Sequence, residues 1–509
     1  MEQNEQAEHV VHVSGGSIRG TAGHGIRRFL GVPYAAAPVG RNRLRPPQPV
    51  VPWQGVRDAT VYGPTAPKGS YPAPVVPILP EVTIPGDEWL NCNVWTPVGA
   101  DRLPVFVWIH GGSFLQGSGS LPEYDGTAFA RDGIVCVTIN YRLGAEGSLV
   151  TEDGSPNLGM QDQVAALRWV RDEIARFGGD PDRVTIAGES AGAASVATLL
   201  TMPSARGLFA AAVIQSGAGS QLLPVEEGRA LTDALAADLG IPPTTAALAA
   251  VPSDTLVEAV SGVVARASAG GWGSIPGGGV PFAPVIDGDL VPLRPVDAVR
   301  AGIAADVPVL LGTTRDEYEL FARPAGLVDA TDEAGLRAAA ERWGLPAEGL
   351  DVYRRTRPGA TSGELLVAVG GDQRFRMPTV ALAEALASRG VEQSATTAAH
   401  GSSGTWMYRF DAVDARDNHG LGSCHAADTP FVFETVTLPE LAPRIGPHPS
   451  QRAARTVHDA WVTFVRTGRA PWRPYDLDRR ATALLAETIT EVDDPDGDER
   501  RAWNPASLA

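Results

Sequence analysis

Six short apolar runs, each closed by turn residues, constrain the fold of this chain most strongly. They are Pro104–Ile109 (PVFVWI), Gly133–Tyr141, Arg183–Ala187, Ala211–Gln215, Val307–Leu311 and Thr405–Phe410. They are rich in β-branched residues and show no polar alternation, as strands buried on both faces do. Helical patterns lie between them. From Asn157 to Phe177, the residues Met160, Val164, Leu167, Val170, Ile174 and Phe177 fall on one face. Asn157 is expected to cap this helix, and Gly178-Gly179-Asp180-Pro181 to end it. Strand, helix, strand in this order predicts an α/β fold with a mostly parallel sheet covered on both sides. In such sheets active groups gather at the carboxyl ends of strands.

The chain has 509 residues, 44% hydrophobic and 20% charged, an ordinary globular mix. α/β enzymes often reach this length as one body, so residues 1–509 are expected to form a single domain with insertions. The net charge of −17 disfavours nucleic acid or an anionic membrane as a partner, since both are polyanions. The start, MEQNEQAEHVVHVSGG, does not read as a signal peptide, and no apolar run approaches a membrane span. A cytoplasmic protein is therefore expected, as a monomer or weak homodimer.

Cys92, Cys136 and Cys424 are the three cysteines, without metal-ligand spacing, so no metal site and no disulfide framework are expected. Lys68 is the single lysine, which reads as codon composition rather than mechanism. Two surface loops are expected, at Ser268–Gly279 and from about Ser394 to Gly404, and a solvated charged stretch at Asp493–Arg501.

RVTIAGESAG (Arg183–Gly192) carries the chemistry. Its Gly188-Glu189-Ser190-Ala191-Gly192 lies between a predicted strand and a predicted helix. A sharp turn there pushes Ser190 Oγ out of the sheet, and the small residues two before and two after relieve crowding. The N–H of Ala191, at the helix start, faces developing negative charge. WIHGGSF (Trp108–Phe114) follows the PVFVWI strand, and its Gly112 and Ser113 add further N–H donors for an oxyanion. His110 is expected to orient that loop rather than transfer protons.

A serine nucleophile needs a base. Of nine histidines, His425 stands out, in a short loop before an apolar segment (GLGSCHAADTPFVF) and well after the serine. His458 reads as a helix-face residue. The acid could be Asp316 or Glu317 after the Val307 run, or Asp287 in VIDGDL, and spacing does not choose among them.

Together these motifs resemble the type-B carboxylesterase family of α/β-hydrolases, close to its bacterial para-nitrobenzyl-esterase-like members. FLGVPYAAAPVGRNRLRPPQP, LNCNVWTP, WIHGGSF, NYRLG, Asn157–Gly192 and GSCHAADTPFVF occur in the family's order across nearly the whole chain. The resemblance implies the α/β-hydrolase fold: a large, mostly parallel central sheet flanked by helices, with loop and helical insertions forming a cap over the active site. It implies Ser190 as nucleophile, Glu317 as acid, His425 as base, and Gly112, Ser113 and Ala191 as oxyanion donors. It also implies an Arg43–Asp87 ion pair and a second serine, Ser216, hydrogen-bonded near the triad. Trp89 stands where many members carry a bridged cysteine. The activity implied is serine-dependent hydrolysis of small carboxylic esters, short-chain or aromatic, through an acyl-enzyme and without cofactor. Carbamate or amide hydrolysis by the same triad is the alternative. Tyr71, Trp89, Trp272 and Phe282 are candidates to line an aromatic-friendly gorge.

Overall fold

The computed structural model describes residues 7–270, 281–394 and 404–503. Trp272 and most of the two expected surface loops lie outside them. The chain divides into two compact units.

The first unit comprises residues 1–70, 81–211 and 221–293. Its strands lie in the order Ala7–Val13, Gly16–Gly23, Ile26–Pro33, Asn91–Pro97, Val135–Ile139, Leu103–Ile109 and Gly179–Glu189, with Val56–Asp58 beside Gly16–Gly23. Along this order neighbours are antiparallel through Asn91–Pro97 and Val135–Ile139, the last two pairings are parallel, and Val56–Asp58 runs parallel to Gly16–Gly23. The parallel part follows from the helices between strands: Thr127–Arg131 and Leu158–Glu173 return the chain so that each strand restarts in the same direction. Val105 to Ile109 are fully buried, as their unbroken apolar run requires. Phe106 stacks on Phe129 at 4.3 Å between ring centroids.

The expected long helix is present, with one change at each end. Leu158–Glu173 is α-helical, and Ile174–Phe177 tightens into a 3-10 turn that ends at left-handed Gly178 (φ 85°). A Cβ on Gly178 would sit 2.4 Å from Ala100 O, so close approach as well as φ favours glycine there. Asn157 does not cap with its side chain. Its amide instead pairs with both backbone groups of Val285, at 2.7 and 2.9 Å. Asp287 accepts from Asn157 Nδ2 and from the backbone N–H groups of Asp289 and Val291, so it shapes a turn.

The second unit comprises residues 71–80, 212–220 and 294–509. Strands Ala211–Gln215, Val309–Thr314, Thr405–Phe410 and Ala481–Leu485 pair in parallel, and Ile489–Asp493 adds an antiparallel edge. Gly312 lies inside its strand. A Cβ there would meet Tyr408 O at 2.3 Å and the Tyr408 ring at 2.4 Å. The helix Gln451–Thr467, capped by Ser450, buries Trp461 and Phe464, and Trp461 Nε1 donates to Gln215 Oε1 at 3.0 Å. His458 sits buried on this helix, as expected, with Nδ1 2.6 Å from Val432 O.

The charged C-terminal stretch is not simply solvated. Glu499 is 1% exposed and accepts from Arg357 at 2.8 and 2.9 Å and from Thr356 Oγ1 at 2.6 Å. A carboxylate can be buried when its oxygens are this fully engaged. No described helix is long and apolar enough to cross a membrane.

The ionic centre of the first unit is Arg142–Asp162, both side chains 0% exposed. Arg142 donates from Nε and Nη2 to the two carboxylate oxygens, and its own N–H adds a third bond. Removing one partner of such a pair strands the other charge. Asp162→Asn should lower unfolding free energy by about 3–5 kcal/mol, measured by chemical denaturation.

Candidate active site

Ser190 stands between the strand Gly179–Glu189 and the helix Ala191–Leu199 with φ 57° and ψ −120°. A non-glycine residue rarely adopts such angles, and holding one there costs about 1–3 kcal/mol. Packing enforces them. A Cβ on Gly192 would lie 2.0 Å from Ile109 O, and one on Gly188 would lie 2.5 Å from the Gly192 carbonyl carbon. The two glycines let the helix begin directly against the end of the neighbouring strand. Ser190 is partly exposed while Glu189 and Ala191 on either side are buried.

The loop after Ile109 folds against this turn. A Cβ on Gly111 would lie 2.7 Å from Glu189 Oε2 and 3.1 Å from Ser190 Cβ. Gly112 (φ 108°), Ser113 (φ 56°) and Phe114 (φ 58°) all take positive φ. Gly112 O accepts from the N–H groups of Leu115 and Gln116, closing the turn. Among the described residues, no acceptor takes the N–H of Gly112, Ser113 or Ala191. His110 orients the loop: its ring stacks on Tyr141 at 4.5 Å, and Nδ1 lies 2.7 Å from Gly111 O. Burial pushes its pKa down to about 3, so the ring is neutral at ordinary pH.

The second unit brings Glu317 and His425 together. His425 Nδ1 lies 2.6 Å from Glu317 Oε2, and both side chains are buried. Glu317 Oε1 accepts the Thr314 N–H at 2.8 Å, which fixes the carboxylate at the end of its strand. Asp316 is used otherwise: it accepts the Ser423 N–H at 2.9 Å and pairs with Arg315. Of the carboxylates that spacing left open, Glu317 is the one in contact with His425. Asn418 braces the histidine loop, bonding both Gly422 backbone groups and Arg444 O.

Three neighbours of His425 had no signal in local sequence. Phe375, on a π-helical turn at Asp372–Arg376, lies 4.4 Å from the His425 ring, and Phe321 lies 5.3 Å from it. Asp428 is fully buried, accepting from Gln215 Nε2 and Tyr408 Oη. Burial, and after it the charge of Glu317, pushes the Asp428 carboxyl up to about 6.

Other expectations change. Arg43 does not pair with Asp87, which is exposed. It pairs with buried Glu146 at 2.6 Å and donates to the carbonyls of Ala249 and Val251. Ser216 is buried at φ 56° with its N–H on Gly312 O, but among the described residues its hydroxyl has no partner. Trp89 and Phe282 are buried. Cys92, Cys136 and Cys424 are buried thiols.

A family model described as "Carboxylesterase family" matches residues 7–507. The chain belongs to the carboxylesterase family. It is a carboxylic ester hydrolase with the α/β-hydrolase fold. This carboxylesterase is 35% identical to the para-nitrobenzyl esterase of Bacillus subtilis (strain 168), with 98% of this chain and 99% of that one covered. It is 36% identical to the phenmedipham hydrolase of Pseudarthrobacter oxydans, covering 95% and 96%. Among solved structures, the Geobacillus stearothermophilus carboxylesterase EST55 at pH 6.2 matches with TM-score 0.83 and 37% identity, covering 97% of this chain and 100% of that chain.

The closeness of Gly192 to Ile109 O gives a direct test. A methyl group at Gly192 meets backbone, which cannot swing aside, so the turn itself must shift. Gly192→Ala should lower kcat/KM on a para-nitrophenyl ester by about 10²-fold, the scale of a ~1 Å misplacement.

Proposed function

We propose that this carboxylesterase hydrolyses small carboxylic esters, short-chain or aromatic, with Ser190 as nucleophile, His425 as base and Glu317 as its orienting acid. The observation that carries the reading is the 2.6 Å contact of His425 Nδ1 with Glu317 Oε2. A neutral ring that donates from Nδ1 carries its lone pair at Nε2, the tautomer a general base needs. The strained, partly exposed Ser190 supplies the hydroxyl.

The reaction runs in two halves. Ser190 Oγ bonds to the ester carbonyl carbon as its proton passes to His425 Nε2. The N–H groups of Gly112, Ser113 and Ala191 take the negative oxygen, each worth about 3–4 kcal/mol in such a site. The carbon–alkoxide bond then breaks, and His425 returns the proton to the leaving alcohol. Water, deprotonated by the same ring, attacks the acyl-enzyme and frees the acid. Glu317 holds the ring and balances its charge while it is protonated.

The Bacillus relative's name supports benzyl-type esters as the starting substrate class. The Pseudarthrobacter relative, a hydrolase of the carbamate phenmedipham, favours a second reading in which the same groups cleave carbamates. Rates on an ester, a carbamate and an anilide of one acyl group separate the two.

An organophosphonate should label Ser190, located by peptide mapping; label on another residue overturns the assignment. Ser190→Ala should lower kcat by about 10³-fold or more with the fold retained. Activity should fall on the acid side, because a general base must be unprotonated to take the Ser190 proton, and a kcat/KM profile from about pH 8 to about pH 5 checks this. A flat profile across that range contradicts the role given to the ring.

A further inference from the structure

Lys68 is the one lysine of the chain, and its side chain is 0% exposed. An ammonium is seldom buried unless its donors are all used. Here they are. Nζ donates to Glu81 Oε1 at 2.6 Å, to Val82 O at 2.7 Å and to Gly117 O at 2.8 Å. Burial pulls the Lys68 pKa down, and Glu81 opposes that pull.

Gly117 closes the loop that begins at His110. The other oxygen of Glu81, Oε2, accepts the Gly117 N–H at 3.0 Å. The ion pair thus takes both backbone groups of one residue, the carbonyl by its cation and the N–H by its anion. Gly117 itself is pressed on the far end of the loop, where a Cβ would meet Gly111 O at 2.5 Å and His110 Nδ1 at 2.6 Å. Its predecessor, Gln116, lies against Gly112, where a Cβ would sit 2.2 Å from Gln116 O. A shift at Gly117 therefore passes directly to Gly111 and Gly112.

We propose that the Lys68–Glu81 pair is a positioning clamp for the oxyanion loop, holding the N–H groups of Gly112 and Ser113 in place through Gly117. This rests on the reading of those N–H groups as oxyanion donors. Lys68 touches neither substrate nor Ser190 in this role; it acts through the backbone. Preorganised donors stabilise a transition state only when fixed beforehand. Loosening the clamp should therefore cost the reacting state and spare ground-state binding.

The test compares wild type with Lys68→Met, which keeps length and loses the charge and its three bonds. Active sites are first counted by phosphonate titration, so that misfolded protein does not enter the rates. Per active site, kcat should fall by about 10–100-fold with KM changed less than about threefold. Inhibition by a trifluoromethyl ketone, whose hemiketal carries the oxyanion, should weaken in the same proportion. Glu81→Gln is the second variant, used alone if Lys68→Met does not fold. With one amide oxygen it cannot serve both Gly117 N–H and Lys68, so it should show the same split at smaller size. Per-site kcat and trifluoromethyl ketone affinity within about twofold of wild type would overturn the clamp, whatever the change in Tm. If the phosphonate in wild type falls elsewhere than Ser190, the parent reading fails instead, so the two failures are distinct.

Discussion

The approach of two backbones at the ends of adjacent parallel strands governs this active site. Ile109 and Gly188 are paired neighbours in the sheet, and the helix after Ser190 starts against the Ile109 carbonyl because Gly192 has no side chain. That contact forces the unusual dihedral angles of Ser190 and brings the His110–Gly117 loop against Glu189. The proposed nucleophile and oxyanion donors are thus set by main-chain packing more than by side-chain hydrogen bonds. Main chain in a packed sheet has little freedom to relax, which suits groups that must be in place before reaction.

Around that contact, buried polar groups are spent on holding loops. Asn93 and Thr138 take the Gly119 carbonyl, while Asn140 accepts the Gly119 N–H at 2.8 Å. Arg142–Asp162 fixes the chain just beyond. In the second unit, Thr314, Asn418 and Asp316 do similar work for Glu317 and His425. At these bends side chains take backbone groups that the turns leave over, Asn418 both groups of Gly422 and Asp316 the Ser423 N–H.

Much of this was legible in the residues. The apolar runs gave the strands, because a strand buried on both faces must be apolar throughout. Gly-x-Ser-x-Gly and His-Gly-Gly gave the turns, because only glycine tolerates such approach. What stayed hidden depended on distant partners. Asp316 and Glu317 are adjacent and alike in charge; only Ser423 and His425, over a hundred residues on, distinguish them. Phe375 reaches the imidazole from a π-helical turn that no periodicity announces. Arg43 chose Glu146 over Asp87 because Glu146 is buried beside it, a matter of packing. Asn157 had the composition of a cap, yet its amide was already committed to Val285.

The lone lysine has one more consequence. An esterase works among activated acyl donors, and such compounds also react with free primary amines. Here the single ε-amino group is enclosed and saturated with acceptors. The rest of the cationic surface is guanidinium, which stays protonated and is a poor acyl acceptor. The exterior therefore offers its own reagents no lysine to modify, and fouling by stray acylation has no side-chain foothold of that kind.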